Sequence, residues 1–150
     1  MGSGSLSNVL SIWGGRRLKK EEIESLLQEA KIARFCCHND DGTIHATPVW
    51  FNYENGNIII LTPSRSQKAR NIKRNKNVTI LVDMVKPPRG VMIYGTAELD
   101  NCDVILKAIS ITEKYVPKEK AKGLVEEVVN KGMDLIIKVK PDRMTSFLTH

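Results

Sequence analysis

The sequence predicts a mostly β, α+β domain: an antiparallel sheet or barrel with a few peripheral helices. Three observations predict it. Strand-like runs dominate the chain. Most are joined by hairpin-length turns, which build antiparallel rather than parallel sheets. No internal repeat or low-complexity linker interrupts the 150 residues, so residues 1–150 read as one domain with a real core. Residues 1–17 read as a flexible N-terminal segment, and "MGSGS" is set aside from fold reasoning.

The elements follow in order. "RLKKEEIESLLQEAKIA" repeats Leu18, Ile23, Leu26, Leu27 and Ala30 at helical spacing, which predicts an amphipathic helix over Lys20 to Lys31. "ARFCCH" is a strand stopped by the turn "NDDG". "TIHATPVWFNY" is a second strand, and Asn55-Gly56 after it is a strong hairpin signal. "NIIILT" is a third, apolar enough to be buried on both faces. A short basic helix, "SQKARNIKRN", precedes the strands "NVTILVDM" and "VMIYGTAEL", with the loop "KPPRG" between those two. "DVILKAISITEKY" and "PKEKAKGLVEEVVNKG" are helical, with Pro117 at a first-turn position and Gly132 at the C-terminal end. "MDLIIKVKP" and "RMTSFLTH" close the chain as two strands.

Two residues break strand rules. Pro48 cannot donate to a ladder, which confines it to an edge, a bulge or a strand end, and Gly95 inside a strand marks a bulge or a close backbone approach. Such positions are where functional sites tend to lie, although a barrel that bends at both places explains them equally.

Composition limits the function classes. Hydrophobic residues make up 41% and charged residues 27%, the balance of a soluble globular chain. No apolar run approaches the ~20 residues of a membrane helix, and the N-terminus has no signal-peptide pattern; a cytoplasmic protein is the expectation. The three cysteines, Cys36, Cys37 and Cys102, are an odd count without metal-ligand spacing and read as buried apolar thiols, with no metal site. His38 and His45 flank the Asp-Gly turn and read as surface residues. The net charge of +6 fits an anionic partner without naming one.

The stretch "TPSRSQKARNIKRNK" narrows that partner. On a helix, Ala69 and Ile72 share an inward side, while Arg70, Lys73 and Arg74 share a solvated one. Lys68 lies beside Ile72 in the first turn. Thr62, Ser64 and Ser66 lead into that turn, where hydroxyls cap free backbone N–H groups. The plain reading is a capped helix. The functional reading is a phosphate site made by those N–H groups, the hydroxyls and Lys68. Nucleic acid is disfavoured, because no aromatic residue interleaves the basic ones.

The order of these segments, "DDGTIHATPVWFNYENGNIIILT", "SRSQKARNIKRNKNVTILVD" and "RGVMIYGTAEL", resembles the pyridoxamine 5'-phosphate oxidase-like family of FMN-binding split β-barrels. The resemblance covers Lys31 to Leu99 and extends loosely to "VKPDRMTSF". It implies an antiparallel split β-barrel, usually a homodimer with FMN at the subunit interface and hydride transfer through flavin N5. Carried over by position, it places Thr47, Pro48, Val49 and Trp50 along the flavin ring and Thr62 beside the ribityl phosphate. Ser66, Gln67 and Lys68 would meet the phosphate, with Asn71 a neighbour. The strand Arg89 to Tyr94 and Arg143 would reach the partner's site.

The chain also departs from pyridoxamine 5'-phosphate oxidase proper. It has Thr47 and Gln67 where that enzyme has phosphate-binding arginines, and Gly90 where it has a glutamine near the ring. Its "SFLTH" end and its "DVILKAISITEKY" helix lack the substrate-gripping sets. Vitamin B6 oxidation is therefore not the expectation. The expectation is a flavin-dependent oxidoreductase with an unidentified small-molecule substrate. The alternatives are an F420-dependent reductase of the same fold, or a non-enzymatic flavin- or heme-related binding protein.

Overall fold

The computed structural model describes residues 15–149. Its elements are α1 (Lys20–Glu29), β1 (Ala33–His38), β2 (Ile44–Val49), β3 (Asn52–Glu54), β4 (Asn57–Thr62), α2 (Gln67–Arg74), β5 (Asn77–Met84), β6 (Arg89–Asp100), α3 (Val104–Thr112), α4 (Lys118–Asn130) and β7 (Leu135–Leu148). All neighbouring strands are antiparallel, in the order β2-β1-β5-β6-β7-β4-β3.

That order dictates the shape. β2 and β3 are the two ends of the seven-stranded sheet, yet only Trp50 and Phe51 separate them in the chain. In a flat sheet six strand spacings would hold them roughly 29 Å apart, whereas so short a link reaches about 10 Å. The sheet must therefore roll until its ends face each other across an unpaired seam. This is a split barrel, and the chain crosses the split at Trp50-Phe51. The single strand expected from "TIHATPVWFNY" is thus two strands on opposite edges.

The other irregular positions follow from the same closure. Pro48 lies on edge strand β2, opposite Arg34 on β1, with its free side carrying no ladder. Asn55 and Gly56 both have positive φ, 53° and 77°, as a two-residue hairpin turn requires. The two closing strands expected from the sequence are one strand, β7. It carries a bulge where Tyr94 faces Arg143 and Gly95 faces Pro141, leaving Asp142 as the extra residue. A Cβ on Gly95 would lie 2.7 Å from the Lys140 carbonyl oxygen and 2.6 Å from Val139 Cγ1, so glycine alone fits there.

The barrel interior is filled by Phe35, Phe51, Ile58, Ile60, Ile80, Ile93 and Ile137, all fully buried. α1 plugs one side with Leu26 and Leu27 and α2 another with Ile72. A second, smaller cluster joins Ile59 and Ile136 to Ile111 of α3. The run Ile58-Ile59-Ile60 is buried on both faces because the barrel lies on one side and α3 on the other.

The expected flexible segment falls outside the described residues up to position 14. At its end, Arg16 pairs with Leu148 in a bridge and with both carboxylate oxygens of Glu22 at 2.8 Å. Cys37 is buried and Cys36 half-buried, but Cys102 is exposed in the loop before α3, so the expectation of buried thiols fails there. Among the described residues no helix is long and apolar enough to cross a membrane.

Candidate functional site

The site is built around the seam. Pro48 and Val49 end β2, and Trp50 follows at the crossing. Leu61, Thr62 and Pro63 end β4 beside them, and Lys68 rises from the first turn of α2. With Ile111 and Thr112 of α3, Leu124 and Val128 of α4, and Met133, they enclose a mostly apolar cleft of about 460 Å³. That size and lining suit a ligand larger than a single phosphate. A larger groove of about 560 Å³ runs outside the barrel between Asn55–Asn57 and Lys138–Lys140. It is more open and more polar and holds none of the sequence-predicted residues, so the seam cleft is the better candidate.

The wall at Trp50 is held from behind. Its indole, 45% exposed, stacks on Tyr115 with centroids 4.2 Å apart and planes within 4°. The Tyr115 hydroxyl accepts the Phe51 N–H at 2.9 Å and donates to the Phe51 carbonyl at 3.1 Å. Where the chain crosses the split it has no ladder partner, and Tyr115 supplies both missing bonds. In the turn after α3, next to Tyr115, Lys114 lies 3.6 Å from the centre of the Phe51 ring and donates to the Leu27 carbonyl. Burial, with Lys31 nearby, lowers its pKa to about 8.

At the other end the hydroxyls form a chain. Thr62, fully buried, donates to Ser66 Oγ at 2.9 Å, and Ser66 Oγ also accepts the Ala69 N–H at 3.1 Å. Ser66 is therefore the N-cap of α2 and keeps its own O–H as a donor. Ser64, by contrast, is tied to Asp134 through its N–H at 2.9 Å and its hydroxyl at 3.3 Å. Lys68 is half-buried, and burial lowers its pKa. It makes no hydrogen bond or ion pair among the described residues. A half-buried ammonium without a counter-charge is costly and calls for an anion.

The remaining predicted residues divide. Thr47, two residues before Val49, holds its Oγ1 buried without a hydrogen-bond partner among the described residues. Gln67 is spent along the helix, donating to Asn71 Oδ1 and accepting from Arg70. Asn71 is fully buried and also committed. Its Nδ2 donates to Cys37 Sγ and Asn39 Oδ1, and its Oδ1 accepts from Gln67 and Arg74. It fixes α2 against β1 rather than facing the cleft. Arg70, Lys73 and Arg74 line the exposed side of α2. Arg74 is occupied by the His38 carbonyl at 2.6 Å and by Asp40 at 3.6 Å. Arg143 lies over the Tyr94 ring on the outer face of β6 and β7, away from the cleft. At Gly90 a Cβ would come within 2.9 Å of the Phe147 ring, so the space a glutamine would take is already filled.

Sequence reasoning missed Tyr115 and the α3–α4 wall. The available signal was the apolar character of "VILKAISIT" all round, more than one buried face needs. His45, expected at the surface, is instead turned inward, with Nδ1 buried and unpartnered.

A family model described as pyridoxamine 5'-phosphate oxidase matches residues 20–146. Among solved structures the chain is similar to a conserved hypothetical protein from Mycobacterium tuberculosis, with 25% identity, TM-score 0.75, and coverage of 87% of this chain and 85% of that one. It is also similar to an FAD-binding protein from Mesorhizobium loti, with 14% identity, TM-score 0.68, and coverage of 91% and 99%. An F420 reductase has 22% identity, TM-score 0.66, and coverage of 84% and 98%. At such identities the last two speak for the fold alone. No curated protein matches significantly. The matched span runs from the first residue of α1 almost to the end of β7 and so contains the barrel, the seam and the cleft; the chain belongs to the pyridoxamine 5'-phosphate oxidase family.

Proposed function

We propose that the chain is an FMN-binding flavoprotein oxidoreductase acting on a small-molecule substrate as a homodimer. One observation carries this reading. The half-buried, unpaired Lys68 ammonium stands at the head of an apolar cleft, beside hydroxyls that still have bonds to give. The buried, unpartnered Thr47 Oγ1 marks a polar contact left open on the same part of the fold.

The residues present fit FMN. Lys68 and the Ser66 hydroxyl would hold the phosphate, with Thr47 and the first-turn N–H groups of α2 around it. Thr62 positions Ser66. The Pro48-Val49-Trp50 backbone and the apolar wall would frame the ring and exclude water. When bound, FMN supplies hydride transfer at N5, and the protein contributes binding, orientation and electrostatics. A homodimer suits the free side of β2. Ile44, Ala46, Pro48 and Trp50 form an exposed apolar row on an unpaired edge, a surface that a monomer would have to protect.

A second reading, F420 as cofactor or cosubstrate, rests on the same basic cleft head, which would suit an anionic tail, on a fold that an F420 reductase shares. Anaerobic reduction separates the two. FMN-loaded protein should bleach in the blue when given a nicotinamide donor. Protein that takes up no FMN but oxidises reduced F420 would replace the FMN reading with the second. FMN bound tightly but reduced by no donor would leave a binding protein.

A further inference from the structure

Beside Thr47 Oγ1, His45 Nδ1 is the second buried side-chain polar atom without a hydrogen-bond partner among the described residues. It sits on β2 two residues before Thr47, so the two share one face of the strand. Directly across the ladder, His45 faces Cys37 and Thr47 faces Phe35, both fully buried, so this is the inward face. Paired residues of this kind hold their Cβ atoms about 5 Å apart. α2 lies over the same ground. Asn71 donates to Cys37 Sγ at 3.4 Å, and Lys68 lies three residues before Asn71, one turn earlier on the same side of α2. His45, Thr47 and Lys68 therefore lie on the same side of the Phe35–Cys37 stretch, and none of them makes a side-chain hydrogen bond or ion pair among the described residues.

We propose that His45 is a second cationic ligand for the phosphate end of the site, supplying from β2 the charge that Thr47 cannot. This rests on the FMN reading above and adds to it a residue and a pH response. The other titratable groups on the elements next to this part of β2 come from three of them. β1 gives Cys37. α2 gives Lys68 and Arg74. The β1–β2 turn gives His38, Asp40 and Asp41. Asp40 is paired with Arg74, and Asp41 accepts the Thr43 N–H and hydroxyl. β6, also packed against α2, presents only apolar residues inward: Val91, Ile93, Gly95, Ala97 and Leu99. Among the described residues neither carboxylate hydrogen-bonds or ion-pairs with His45, so an incoming phosphate would be its counter-charge. A protonated imidazole binds an anion better than a neutral one, so phosphate binding strengthens as pH falls.

The test is titration of cofactor-stripped protein with FMN and with riboflavin, read by flavin fluorescence. The preference for FMN should grow about three- to tenfold as pH falls from about 8 to about 6.5, above the second ionisation of a phosphate ester. His45→Gln should flatten that response, and His45→Arg should keep the preference high at both ends. Circular dichroism and melting temperature establish that each variant is folded, and the wild-type pH response stands even where one is not. An FMN preference that is flat with pH and untouched by His45→Gln would overturn this proposal while leaving the FMN reading intact. No preference for FMN at any pH would overturn both.

Discussion

Tyr115 holds Phe51 by both of its backbone polar groups, at 2.9 Å and 3.1 Å, at the point where the chain crosses the open seam of the barrel. One hydroxyl thereby satisfies both backbone groups of a fully buried residue that no strand pairs. The same phenol ring carries Trp50 on its face. The seam, the cleft wall and the core are thus connected through a residue 64 positions away in sequence.

Tyr115→Phe should keep the stack and lose both bonds. A buried backbone group left unsatisfied costs about 1–3 kcal/mol, which lowers the melting temperature by several degrees in a chain of this size. Thermal unfolding followed by circular dichroism checks this. An unchanged melting point would mean that water or another group already satisfies Phe51.

Gly95→Ala and Gly123→Ala should move stability in opposite directions. The methyl group added at Gly95 would collide with the Lys140 backbone and Val139, and forced overpacking costs about 1–3 kcal/mol. Gly123 lies inside α4 with open space around it, and alanine there should add about 0.5–1 kcal/mol of helix stability. Urea denaturation of both variants decides it: an undamaged Gly95→Ala would contradict the packing described for β6 and β7, and a destabilised Gly123→Ala would contradict the open space around α4.

Lys68→Ala should weaken FMN binding by about tenfold or more, since a charge-assisted hydrogen bond contributes about 1.5–3 kcal/mol. Arg74→Ala, whose guanidinium is already engaged by His38 and Asp40, should change it little. Burial lowers the Lys68 pKa in the free protein, and a bound phosphate favours the ammonium. FMN affinity should therefore fall as pH rises through the free Lys68 pKa, and riboflavin affinity should not. Equal losses in the two variants would contradict the phosphate assignment.

Lys114 sets a stability response to alkali. Its pKa is lowered from 10.5 to about 8 by burial first and by Lys31 second. Between those values the unfolded chain binds more protons than the folded one, so this group's contribution to stability rises with pH across that window. The melting temperature of wild type relative to Lys114→Met should therefore increase from pH 8 to pH 10. A difference independent of pH would show that Lys114 is not desolvated.

Much of the fold was legible because local chemistry decides it. β1, β4 and β5 have the bounds that the sequence patterns predict, and Asn55-Gly56 forms its turn. The faces of α2 fall as the spacing dictates, with Ala69 and Ile72 buried and Lys68 apart from the exposed arginines. What was not legible depends on closure. Nothing local splits "TIHATPVWFNY" at Trp50-Phe51; the split exists because the rolled sheet puts β2 and β3 on opposite edges. Pro141 looked like the end of a strand, but a bulge lets β7 continue past it, with Gly95 giving it room. The inward turn of His45 follows from strand parity once β1 and β2 are in register. Tyr115 reaches the seam only after α3 has docked.

The central claim is that the head of the cleft reads a phosphate on a flavin. The most direct measurement is a fluorescence titration of cofactor-stripped wild-type protein with FMN and, in parallel, with riboflavin, which differs only by that phosphate. The account predicts FMN binding at least about tenfold tighter than riboflavin, the worth of one charge-assisted contact. Equal affinity for the two, or no binding of either, would contradict it.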